Sequence, residues 1–183
     1  MIGSASFAGM VKELESPPEP PGSLTDPGEL LSGYLDFYRD AVLRKLDGLP
    51  EEQVRTSVLP SGWTPLELLT HLSHMEVRWL RWGFAAEPVD EPWGDRGPDD
   101  RWHVPEDRTY ADVRAEFLET AERSRQIVAG ARLDDMAAVG GRFPTADQAP
   151  SLAWILFHVL QEYARHTGHL DVVRELMDGI IGE

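Results

Sequence analysis

The chain has 183 residues, enough for one domain with a proper core. Its 32 acidic residues against 17 basic ones leave a net charge of -15, a field that repels phosphate backbones and anionic lipid and so argues against a nucleic-acid or membrane partner. With no cysteine there is no disulfide, no thiolate metal ligand and no cysteine nucleophile.

Residues 1–25 include Ser16-Pro-Pro-Glu-Pro-Pro-Gly22, too rich in proline for a helix or a central strand, and read as an extended N-terminal tail. The opening Met1–Met10 lacks the basic region of a signal peptide, and no apolar run reaches the ~18–20 residues that span a bilayer, so a cytoplasmic chain is expected. Asp26-Pro27-Gly28-Glu29 is a helix start, with a capping aspartate and proline at the first helical position. Leu31, Leu35, Tyr38, Val42 and Leu46 carry that helix over about 27–47. A connector over 48–63 follows. Thr64-Pro65-Leu66-Glu67 then starts a second helix, about 65–84, which bears His71 and His74. Residues 85–108 have no periodicity, and so long a connection is expected to be a lid, a binding loop or disordered. Thr109-Tyr-Ala-Asp112 opens a third helix, to about Ala129, and Pro150-Ser151 opens a fourth over 151–178, closed by Gly179. No strand alternation and no repeat occurs. The pattern predicts an all-α domain over 26–183, an antiparallel-type four-helix bundle with two long connections.

The most informative stretch is His158-Val-Leu-Gln-Glu162-Tyr-Ala-Arg-His166-Thr-Gly168-His169. On a helix, His158, Glu162, His166 and His169 share a stripe roughly 80° wide. Imidazoles and a carboxylate are costly to bury unpaired, and a divalent metal would resolve that cost. Glu162 and His166, four apart, can grip one ion, with His71 as the third ligand from the second helix. Three protein ligands leave positions open for water or substrate. Such a donor set suits Zn, Ni, Fe or Mn.

Each residue also has a plainer reading. A single helix histidine is usually a hydrogen-bonded packing residue, and Glu162–His166 could be an ordinary charge pair. His74 and His103 fit that reading best, while His158 and His169 are candidates for the pocket or for positions beside the ligands. Trp79, Trp82, Trp93 and Trp102 suit either a pocket mouth or core anchoring. Arg78, Arg81 and Arg165 suit an anionic substrate, although surface ion pairing is commoner. Gly168, mid-helix, either allows a close approach or is a tolerated glycine.

The residues Tyr38-Arg39, Leu43-Arg44-Lys45-Leu46, Ser61-Gly62-Trp63-Thr64-Pro65, Leu69-Thr70-His71-Leu72, Glu76 and Trp79 lead to the block from Trp154 through His158, Glu162, His166, Gly168, His169, Asp171, Arg174 and Glu175 to Asp178-Gly179. Over about 27–180 this pattern resembles the DinB-like metal-binding four-helix bundles, most of all their mini-circle branch, a domain of unknown function. The resemblance implies up-down-down-up connectivity, often a homodimer, and a divalent metal held by His71, Glu162 and His166. Many relatives have histidine where Glu162 stands, whereas the branch of the mycothiol-dependent isomerases has glutamate; His169 occupies a place often held by glutamine. Characterised relatives activate mycothiol or bacillithiol for transfer or isomerisation. The resemblance thus implies a metal-dependent thiol S-transferase with a low-molecular-weight thiol cosubstrate, with His158, His169, His74, Trp79 and Arg165 lining or supporting the pocket. A non-catalytic metal- or small-ligand-binding bundle and a metal-dependent hydrolase are the alternatives.

Overall fold

Each long helix starts on a side chain that caps its unpaired N–H groups. α1 (Pro27–Leu46) starts on Asp26, whose carboxylate accepts from the Glu29 N–H at 2.9 Å. A single turn, α2 (Glu51–Val54), buries Val54. α3 (Pro65–Glu76) begins with a reciprocal capping box between Thr64 and Glu67, and α4 (Tyr110–Ala129) with one between Thr109 and Asp112. α5 (Leu152–Asp178) starts on Ser151 and ends at Gly179, whose φ of 73° is the left-handed conformation that glycine tolerates. The structure, a computed structural model, describes residues 18–182, and among these it is mostly helical with no strand. The expected tail lies outside the described residues from 1 to 17. Its end turns back on α1, where Pro20 packs against Gly33.

Two elements differ from the sequence reading. α2 falls inside the expected connector, because four residues are too few to show a period. The helix expected over 65–84 is α-helical only to Glu76 and continues as a π-helical segment, Val77–Phe84, in which the Ala85 N–H reaches back to the Leu80 carbonyl. Eight residues of apolar pattern do not distinguish the wider turn from an ordinary one.

α1 packs against α5 and α4, and α3 packs against α4 and α5. Leu35, Leu46, Leu69, Met75, Phe117 and Ile155 are buried in the shared core. No helix among the described residues is long and apolar enough to cross a membrane.

The core is not wholly apolar. Glu76 has no exposed surface and receives both arms of Arg39 from α1, Nε to Oε1 at 2.8 Å and Nη2 to Oε2 at 2.9 Å. The Tyr163 hydroxyl of α5 donates to the same carboxylate. Arg39 also reaches Asp36 at 2.8 Å, and Asp36 takes Arg125 of α4 at 2.9 Å. Burial pushes the Glu76 carboxyl up, but the charge and hydrogen bonds of Arg39 outweigh it and hold it below its ordinary value.

Because the folded-state value is depressed, this carboxylate contributes stability that is present above its ordinary value of about 4.3 and lost as pH falls through the folded value. Glu76→Gln should therefore unfold at lower urea, by roughly 3–5 kcal/mol at neutral pH, with the deficit narrowing in acid. Equal midpoints at pH 7 would remove Glu76 from the stabilising set. Two glycines should respond in opposite directions. A Cβ at Gly141 would meet the Trp82 carbonyl oxygen at 2.1 Å and Ala86 Cα at 2.9 Å, backbone that cannot swing aside. Gly168 has nothing within 4 Å, so it serves no close helix approach. In urea titrations Gly141→Ala should cost about 1–3 kcal/mol, and Gly168→Ala should gain up to about 1 kcal/mol.

Candidate metal centre

His71 comes from the middle of α3, and Glu162 and His166 stand one turn apart on α5. Packing of α3 on α5 brings them together. The Glu162 Oε2 lies 4.0 Å from His71 Nε2 and 3.4 Å from His166 Nε2, and one ligand atom from each residue falls within 4.8 Å of the others. His166 is buried, and the other two are partly exposed.

The remaining ring nitrogens are occupied. His71 Nδ1 donates to Asp95 Oδ2 at 2.9 Å, which leaves Nε2 with its lone pair toward Glu162. Asp95 is buried and is gripped by Arg78 at 2.6 and 3.2 Å. Burial pushes its carboxyl up, but hydrogen bonds from His71 and Arg78 prevail and hold it at about 2. On the other side, His166 Nδ1 lies 3.3 Å from His169 Nδ1. Burial, with His71 nearby, lowers His166 to about 4. Its imidazole is thus neutral near pH 7, as a metal ligand must be, and an ordinary Glu162–His166 ion pair is disfavoured. Two imidazole nitrogens, each with a partner on the other side of its ring, and one carboxylate oxygen fit a divalent cation.

The aperiodic 85–108 connection supplies the rest of the site. Arg96 and Trp102 pair across a tight turn in which the Gly97 N–H donates to the Arg101 carbonyl at 2.8 Å and the His103 N–H to that of Asp95 at 3.0 Å. That turn carries Asp95 under His71 and stacks Trp102 on the His71 ring, centroids 4.2 Å apart and 24° from parallel. Trp102 also meets His166 edge-on at 5.4 Å. Trp63 lies 6.2 Å from both Trp102 and His169. Trp63 and Trp102 also line an open cleft of about 740 Å³ with Glu67, Arg101 and His103.

The structure thus brings His71, Glu162, His166 and His169 together. It puts His158 one turn back on α5, between Trp79 at 4.3 Å and Trp154 at 5.5 Å. His74 lies apart, in a separate cavity of about 340 Å³ with Thr70, Glu91 and Glu116. Arg165 is exposed on α5. Arg81 pairs with Glu87 at 3.1 Å, and Arg78 serves Asp95 instead of solvent. Asp95 was not among the sequence candidates. It bears no periodic relation to His71, and only the length of its loop hinted at a role there.

No curated protein matches the chain. The family described as Mycothiol-S-transferase matches residues 30–179, a span that runs from the first turn of α1 through α5 and includes His71, Glu162 and His166. By that match the chain belongs to the mycothiol S-transferase family.

Proposed function

We propose that the protein is a metal-dependent thiol S-transferase that uses a low-molecular-weight thiol such as mycothiol, with His71, Glu162 and His166 holding the metal. The observation that carries this reading is the convergence of those donors within 4.8 Å in a chain that has no cysteine of its own. An external thiol must then supply the sulfur. A bound divalent metal would act as a Lewis acid that lowers the pKa of that thiol. The chain's own part is positional. Arg78 keeps Asp95 ionised, Asp95 fixes the His71 tautomer, and His169 backs His166. Trp102 shields the imidazoles from water and borders the cleft beside Trp63, a polar, open space suited to a small hydrophilic thiol. In the transfer, the sulfur forms a bond to the acceptor carbon, the leaving group departs with its electron pair, and the thiol proton goes to solvent.

The reading takes residues 26–183 as one up-down-down-up four-helix bundle preceded by the 1–25 tail, and the cyclic packing of α1, α5, α3 and α4 supports it. It also takes the exposed Phe157, Val172 and Leu176 on α5 as the face for a second copy. Light scattering should give the mass of a dimer for the wild type and of a monomer for Phe157→Glu/Leu176→Glu; a monomeric wild type removes this face.

Protein purified without chelator should carry about one equivalent of metal. Glu162→Ala/His166→Ala should carry none and lose thiol-dependent turnover. Asp95→Asn should bind Co²⁺ about 10–100-fold more weakly while keeping its fold. No metal in the wild type after reconstitution would overturn the reading. Metal without any response of the Co²⁺ spectrum to thiol would point to a non-catalytic bundle, and hydrolysis without thiol to a hydrolase.

A further inference from the structure

Most arginines in so acidic a chain find carboxylates: Arg39 takes Glu76, Arg78 takes Asp95, and Arg123 takes Glu87. Arg142 takes none among the described residues. Its Nη1 is buried without a hydrogen-bond partner, although a guanidinium is obliged to spend its donors. The residue is fixed by its backbone, whose N–H donates to the Trp82 carbonyl at 3.0 Å, and its guanidinium lies over the Trp79 ring, Cζ to centroid 4.0 Å. Trp93 is 5.8 Å away and already faces Arg78 at 4.4 Å. Burial and the charge of Arg78 both push Arg142 down from its ordinary value, so its surroundings lack an anion.

Its position gives that lack a meaning. Trp79 is 4.3 Å from His158, which stacks at 5.5 Å and 4° on Trp154, and Trp154 is 52% exposed. Arg142, Trp79, His158 and Trp154 therefore form one cation–aromatic row. The row passes through His158, one helical turn from Glu162, on the side of the triad away from His169.

We propose that this row is a substrate subsite in which Arg142 binds a carboxylate and the ring of the same molecule lies against His158 and Trp154. A guanidinium without a carboxylate partner among the described residues suits a singly charged planar oxyanion, which its fork can meet with two hydrogen bonds. Describing the carboxylate as a substrate's rests on the thiol-transfer reading; the binding itself does not.

Benzoate and benzamide, equal in shape and different in charge, test the subsite by calorimetry on full-length protein stripped of metal, so that carboxylate ligation to a metal does not contribute. Wild type should bind benzoate saturably and benzamide about tenfold or more weakly. Arg142→Gln should lose that preference, and Arg142→Lys should keep part of it. Circular dichroism checks both folds, and if Arg142→Gln does not fold, the lysine variant alone carries the comparison. No saturable benzoate binding, or equal benzoate affinity in wild type and variants, would overturn the proposal and leave Arg142 as packing on Trp79. Protein that transfers no sulfur would still give either calorimetric result, so the two readings fail separately. Where transfer is seen, inhibition by benzoate should be competitive with the acceptor or with the thiol, whichever bears the carboxylate; inhibition competitive with neither would overturn the assignment to a substrate.

Discussion

Everything near the centre of the molecule is arranged around one carboxylate without water. Glu76 lies fully buried at the end of α3 and is matched by both arms of Arg39 and by the hydroxyl of Tyr163. An ion pair this deep adds little to stability over an apolar core, yet losing one partner leaves a naked charge in a dry place. Its consequence is positional. Helices slide against one another at small cost when only leucines meet, but a two-armed guanidinium–carboxylate pair fits in one place. α1 and α3 are thereby set in register, and the Tyr163 hydroxyl ties α5 to the same carboxylate. Tyr163, which turns inward to Glu76, is the neighbour of Glu162, which turns toward His71. The contact that fixes the core thus also fixes the distance between candidate ligands on different helices.

Directly after Glu76 the helix widens into its π-helical segment, and this is where Arg78 and Trp79 leave it. π-helical turns recur at functional sites because the wider turn re-aims side chains that an α-helix would send elsewhere. Arg78 goes to Asp95, and Trp79 goes to His158 and Arg142. A buried aspartate in a chain of charge -15 would ordinarily take up a proton, and then its orienting hold on His71 would weaken. Hydrogen bonds from His71 and Arg78 prevent this, so Asp95 stays ionised and holds the ring.

What the sequence could reveal followed physical range. Caps act within one turn, so Asp26, Thr64, Thr109, Ser151 and Gly179 marked helix ends that the structure has at those places. The Glu162–His166 spacing is equally local. Partnership across helices left no such trace. Asp95 was one acid among many in an aperiodic loop, Arg142 an unremarked residue beside a glycine pair, and the π-helical register is invisible in composition. The family pattern helped most where its residues are structural. Lys45 pairs with Asp171, and Arg174 binds the Lys45 carbonyl oxygen and, at 2.8 Å, Asp178, so these motif positions pin the end of α1 to the end of α5.

Charge balance at the candidate centre bears on the proposed sulfur transfer. With both imidazoles neutral, as metal ligation requires, the candidate donor set would carry a single negative charge, half of what a divalent cation carries. The nearest further carboxylate, Asp95, is already neutralised by Arg78 and is turned to the far nitrogen of His71, so it adds nothing in front. Left one charge short, with Trp102 stacked on one side, a divalent ion held by this group would favour an anionic fourth partner. A thiol provides one once its proton is lost, and its pKa, near 8.5 in free form, is close enough to neutrality for a modest electrostatic bias to matter.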